Sequence, residues 1–246
     1  MQIPRFLTFS LLLPTVLLWG CQKENVWDCV KSTGPVQTEI RPLAPFRTLR
    51  IFDNVAVTVV EDSIHFAEVT AGENLHKKLI TEVRNGELTV RNINKCNWVR
   101  SYKNPLQIRL HVAKLKDVFH DGDVLLKSEN RFPADTLFLH VTGAGDTELE
   151  LETETVWLDM YELGDVRLSG NNRSLTAFVL SNGSLKAEGL LNEEAFVKIT
   201  DQGQAFLQVS KLLTAEINGL GNVYFTGPTP QIRTSGNGPG EVKKLQ

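Results

Sequence analysis

Between Gly145 and Gly240 the chain repeats one phrase at an almost constant interval: a glycine, a small or polar residue, then an alternating apolar run. The glycines are Gly145, Gly164, Gly183, Gly203, Gly221 and Gly240, spaced by 19, 19, 20, 18 and 19 residues. Independent hairpins have no reason to hold so narrow a period, whereas stacked units do. Gly122, in "HDGDVLL", precedes Gly145 by 23 residues and is read as heading a longer first unit.

Aligned on these glycines, whole columns agree. Two residues after each stand Thr147, Val166, Leu185, Ala205, Val223 and Val242, and two further on Leu149, Leu168, Ala187, Leu207 and Phe225. Before the glycines, the set Leu137, Leu139 and Val141 recurs as Val156, Leu158 and Met160, then as Leu175, Ala177 and Val179. Each repeat therefore holds two short strands with apolar residues at period two, one face inward. Identical positions stack most simply as an all-β, parallel β-helix-like solenoid with coils of about 19 residues and strands about 4.8 Å apart. A glycine at each corner supplies either a positive φ or a close backbone approach. Outward charges agree with the register: Glu148 aligns with Arg167 and Lys186, and Glu150 with Lys127. Each such exposed pair contributes about 0–1 kcal/mol. A two-layer antiparallel sandwich suits the same strands and turns, and is the competing arrangement.

The repeats define residues 117–246. Residues 46–116 read as an N-terminal β region: "FRTLRIFDNVAVTVVED" and "FAEVTAGENL" alternate, and "EVRNGELTVRN" carries a hairpin signal at Asn85-Gly86. "NLHKKLITEV" has room for one helical turn. This region is expected to cap one end of the stack, and the Gly/Pro-rich "TSGNGPGEVKKLQ" the other, because an open sheet end invites edge-to-edge association.

Residues 1–20 read as a signal peptide. Arg5 precedes an uncharged run, Phe6 to Trp19, of 14 residues, short for a membrane span. The run ends at Leu18-Trp19-Gly20-Cys21, similar to a bacterial lipobox, so Cys21 is expected to be the lipidated first residue of the mature chain and its route to the membrane. Two or more acyl chains, at about 0.8 kcal/mol per buried methylene, anchor stably where one is marginal. An ordinary secretory signal with an incidental cysteine is the alternative. Gln22-Lys23-Glu24 follow in place of the aspartate that retains lipoproteins at an inner membrane, which points to an outer-membrane, surface-facing location. Residues 21–45 then form anchor and linker. Export places Cys29 and Cys96 in an oxidising compartment, where a pair reads as a disulfide that restricts the unfolded chain by about 4 kcal/mol. Two separate buried thiols remain the alternative.

A net charge of −3 offers phosphates no basic surface, so no nucleic-acid partner is expected. The five histidines show no metal-ligand spacing and no CxxC is present. No GxSxG occurs, and neither Gly143-Ala144-Gly145 nor Gly219-Leu220-Gly221 continues into a dinucleotide loop, so no cofactor is expected. Acidic corner residues Asp121, Asp123, Asp146 and Asp165 fall close together if coils stack, and paired carboxylates can divide acid and base roles. The column continues as Ser184, Gln204 and Asn222, ordinary turn residues, which favours a solvated corner. Outward positions of the pre-glycine strand carry Phe138, Trp157 and Phe196 in one column, with Thr176 between the last two and Phe178 two residues on. Exposed, such rings stack on sugars or bury against an envelope protein; covered by another segment, they are core.

The lipoprotein leader, "FRTLRIFDNVAVTVVED", "VTAGENL", "NGELTVRN" and the serial "GAGD", "LGDV", "NGSL" and "GNGPG" phrases together resemble the head-GIN-domain family of autotransporter-adhesin-type proteins, abundant as Bacteroidetes lipoproteins. The likeness runs from about Phe46 to Val242. Its small-Gly-small-Gly phrase is clearest at Thr142-Gly143-Ala144-Gly145 and Asn218-Gly219-Leu220-Gly221; Glu162-Leu163-Gly164 and Thr200-Asp201-Gln202-Gly203 depart from it. The resemblance implies a β-solenoid-like fold, a cell-envelope location and no established catalytic residues. The resulting expectation is a non-enzymatic envelope lipoprotein presenting an elongated β surface for adhesion or assembly. The alternative is a carbohydrate-active β-helix, lyase or hydrolase, working through the acidic corners.

Overall fold

The computed structural model describes residues 32–95, 106–228 and 231–245. Four long strands set its plan: β11 (Thr147–Met160), β12 (Val166–Val179), β13 (Leu185–Ile199) and β14 (Ala205–Ile217), here numbered in chain order with those introduced below. Each pairs in parallel with the next, Leu149 beside Leu168 and Leu158 beside Ala177. That register is a β-solenoid and excludes the antiparallel sandwich. Each long strand bends near its middle, so its first half lies in one wall and its second half in another. The interval of 20 residues is absorbed by a register shift between Arg167 and Ser169, and that of 18 by two shifts, between Ala187 and Leu191 and between Asn192 and Glu194.

Apolar columns meet inside. Val166, Leu185, Ala205 and Val223 are fully buried, and Leu168 is 1% exposed. At the bend the interior is polar. Thr153 donates its hydroxyl to Asn172 Oδ1 at 3.0 Å, and Asn172 donates its amide to Asn192 Oδ1 at 2.7 Å. Asn192 in turn donates to the carbonyls of Leu190 and Gln208. A buried amide costs little when both its ends are paired, and stacking asparagines achieves that coil after coil.

The corner glycines act through close approach. None of the six has a positive φ. A Cβ on Gly164 would run into the carbonyl oxygen of Gly145, one on Gly183 into that of Gly164, and one on Gly221 into that of Gly203. Gly122 lies beneath Gly143, not Gly145. The separation is 143 − 122 = 21, and the first unit is shorter than the glycine count suggested. The same correction moves a charge pair: Lys127 stands beside Glu148, while Glu150 bonds Arg131 at 3.1 Å. Arg167 does pair with Glu148, as aligned.

Parallel stacking reaches back well before Asp117, into the expected N-terminal β region. Strands β2 (Thr48–Asp53) and β3 (Ala56–Glu61) form a coil, β6 (Glu87–Asn92) and β7 (Gln107–Val112) a second, and β8 (Asp117–Gly122) and β9 (Leu126–Ser128) a third. Their order in the stack is not their order in the chain. β2 has β6 on one side and β8 on the other; β3 has β7 and β9. Beyond β6 and β7 the direction reverses: β5 (Leu79–Arg84) runs antiparallel to β6, and β4 (Phe66–Gly72) lies antiparallel between β7 and β1 (Val36–Pro42). The β5–β6 turn has positive φ at both Asn85 and Gly86, as a two-residue hairpin requires. The expected helical turn is a 3-10 turn, Glu73–Lys78.

At the other end, β15 (Val223–Thr226), β16 (Gln231–Ser235) and β17 (Val242–Lys244) complete the stack. The described part of the "TSGNGPGEVKKLQ" stretch, residues 234–245, therefore belongs to a final coil and is not a lid over one. Ile232, on an inward column, is 40% exposed there.

Candidate functional site

The second wall carries an aromatic ladder. β10 (Phe132–Val141) pairs with β11 so that Phe138 faces Trp157; Trp157 then faces Thr176, and Thr176 faces Phe196. Thr176 breaks the column, and Phe178, two residues on along the same face of β12, fills the break. Ring centroids step 6.5 Å from Phe138 to Trp157, 6.2 Å to Phe178 and 5.9 Å to Phe196. Centroids this far apart at the 28° and 26° tilts of the first two pairs are offset, leaving part of each ring face uncovered. Trp157 is 43% exposed and the three phenylalanines are half-buried.

The row continues through residues that the sequence reading passed over. Phe119 stacks on His140 at 4.6 Å, and the Arg50 guanidinium sits 3.9 Å from the Phe119 centroid. Lys116 lies over Phe138 at 5.7 Å. The available signal was the 21-residue interval between Phe119 and His140, masked by the 23-residue count to Gly145. A second, isolated pair, Phe206 and Tyr224, stacks at 4.9 Å on the first wall.

Apart from Lys116, the charged groups beside the ladder fall into pairs. His140 Nδ1 and Asp159 are 2.9 Å apart, Lys198 and Glu216 2.8 Å, and Arg50 and Asp121 3.5 Å. Lys198, with Asn218, holds the Glu216 carboxyl below the usual carboxylate range.

Three of the four acidic corner residues bond across coils. Asp146 Oδ1 accepts the backbone N–H of Asp165 at 3.0 Å, and Asp165 Oδ1 accepts that of Ser184 at 2.8 Å. Asn222 does the same for Glu241 one corner further on. Burial opposes the charge on Asp165, but Lys186 and the Ser184 N–H outweigh it and hold its pKa below the ordinary value. Asp121 accepts from Thr142 and Arg50. Asp123 lies near His120, which is fully buried, bonded to Thr147 Oγ1 at 2.8 Å and to the Val124 carbonyl at 2.9 Å. Burial lowers the His120 pKa. The carbonyl can only accept, so Nε2 carries the proton and Nδ1 receives the threonine hydroxyl. The carboxylates of Asp121, Asp146 and Asp165 thus join coil to coil.

Among the described residues no group of three metal-ligating side chains comes together, and no helix is long and apolar enough to cross a membrane. Cys21, Cys29 and Cys96 lie outside the described residues.

A parallel β-solenoid, closed at one end by antiparallel strands and lined on one wall by offset aromatic rings, defines the class of this protein. The chain belongs to the family described as "Putative auto-transporter adhesin, head GIN domain", whose profile matches residues 45–228. A "putative adhesin" from Bacteroides fragilis has a similar structure at TM-score 0.76 and 16% identity, over 86% of this chain and 97% of that one. One from Parabacteroides merdae is similar at TM-score 0.68 and 21% identity, over 87% and 98%. A third, from Parabacteroides distasonis and described as a "putative lipid binding protein", is similar at TM-score 0.62 and 18% identity, over 87% and 98%. At these identities the likeness speaks for the fold. No curated protein sequence matches the chain.

Proposed function

We propose that the protein is a non-enzymatic cell-envelope lipoprotein, held at the outer membrane by acyl chains on Cys21, which uses the aromatic wall as a contact surface in adhesion or envelope assembly. One observation carries the reading: a row of offset rings, Trp157 at its centre and 43% exposed, on a wall whose neighbouring strands all run in register. Isolated exposed apolar residues need no explanation, but a continuous row does. Backbone ladders hold the rings in place before contact, so little ordering remains to be done on binding. Membership of an adhesin-type family and the backbone-bonded acidic corners support a binding role over catalysis.

The test is a panel of polysaccharides and whole cells, scored for both retention and product release. Retention that is lost in Trp157→Ala without any turnover is the expected result. Turnover that disappears in Asp146→Asn overturns the reading in favour of a carbohydrate-active enzyme.

A further inference from the structure

We propose that the Phe138–Trp157–Phe178–Phe196 row takes a neutral, linear glycan laid along the coil axis; this names the ligand class for the contact surface above and depends on that reading. Shape is the first argument. The apolar strip is narrow, its rings staggered over two adjacent columns, and the same outward face is polar beside it, with Thr155 and Ser174 before the rings and Asp159 and Lys198 after them or between them. A pyranose chain has the matching form: C–H faces that stack on rings, and hydroxyl edges that seek polar neighbours. Successive rings sit one coil apart, about 4.8 Å along the axis, and their stagger brings the ring-to-ring steps to 5.9 to 6.5 Å, on the scale of one sugar unit in an extended chain.

Charge is the second argument. The ion pairs beside the row are closed among its own neighbours: His140 with Asp159, Lys198 with Glu216, Arg50 with Asp121. Among the described residues Lys116, 5.7 Å from the Phe138 ring, is the cation on this strip that stands outside these pairs, a single charge at one end of the row and little attraction for a polyanion. The paired carboxylates still accept hydrogen bonds from hydroxyls, which suits an uncharged sugar. A globular protein partner needs a broader face, about 800 Å² per side with a fully desolvated centre, and a single row of rings provides a line.

Titration of the soluble mature chain with neutral gluco-oligosaccharides of increasing length, and with galacturonate oligomers of the same lengths, tests the assignment. Affinity for the neutral series is expected to rise with each added unit and to level off near four, the number of rings. The acidic series is expected to bind at least about tenfold more weakly. Trp157→Ala should melt like the parent and lose binding, while Lys127→Ala on the other wall should bind like the parent. Equal or tighter binding of the acidic series, or affinity independent of length, overturns the assignment. If neither series binds but Trp157→Ala still abolishes retention on cells, the glycan class is wrong and the contact surface serves a protein. If Trp157→Ala leaves retention unchanged, the contact surface itself is wrong.

Discussion

Asn172 donates its side-chain amide to Asn192 Oδ1 across one coil at 2.7 Å, in a buried position at the bend of each long strand. The bond is one link in a chain running from Thr153 to the Gln208 carbonyl. Replacing Asn172 by Ala strands the Thr153 hydroxyl and the Asn192 oxygen together. A loss of about 1–3 kcal/mol for each buried group left unpaired is expected, measured as a shift in urea midpoint. A midpoint equal to the parent's would mean that the asparagine ladder contributes nothing.

Leu168 tests the inward columns directly. At 1% exposure, flanked by Leu149 and the Ala187 column, it has no partner for a charge. Leu168→Asp is expected to destabilise by more than about 4 kcal/mol, the range reserved for buried unpaired charge. Thermal melting at neutral pH decides it; a parent-like transition places Leu168 on the surface.

Stability should begin to fall as pH drops through about 6.5 because of His120. Its folded pKa lies below the ordinary value through burial. As pH drops through about 6.5 the unfolded chain takes up a proton that the folded imidazole refuses, so unfolding is favoured. The contribution is fully present above the unfolded pKa and is lost progressively as pH falls toward the lower folded one. His120→Gln should flatten this part of the curve of melting temperature against pH, and an unchanged slope would assign it to other groups.

Lipidation at Cys21 predicts that the mature protein partitions into the detergent phase after cell fractionation. Cys21→Ser should move it to the aqueous phase. Continued detergent-phase partitioning of that variant would remove the anchor.

Cys29 and Cys96 are expected to be joined in protein that has passed through export. Non-reducing peptide mapping should recover the linked pair, and reduction should lower stability by about 4 kcal/mol on the loop-entropy argument. Two freely alkylatable thiols in that preparation would refute the link.

The aligned columns were legible because burial in a parallel stack acts on the same position in every coil. Leu149, Leu168 and Leu207 could be assigned inward by counting, and Phe138, Trp157 and Phe196 outward. Counting fails where coil length changes, and there only the structure decided. Gly122 sits under Gly143, so Lys127 meets Glu148 and Phe119 meets His140, pairings that a count to Gly145 displaces by two residues. The way the glycines act was also undecided by sequence, since glycine serves positive φ and close approach equally well. The stacked carbonyls show that approach is what matters. Least legible was the order of the first coils, with β2 and β3 enclosed between β6–β7 and β8–β9. An apolar alternation records which face of a strand is buried. It carries no record of which neighbour buries it, because any strand of the same period satisfies the same hydrogen bonds and hides the same side chains.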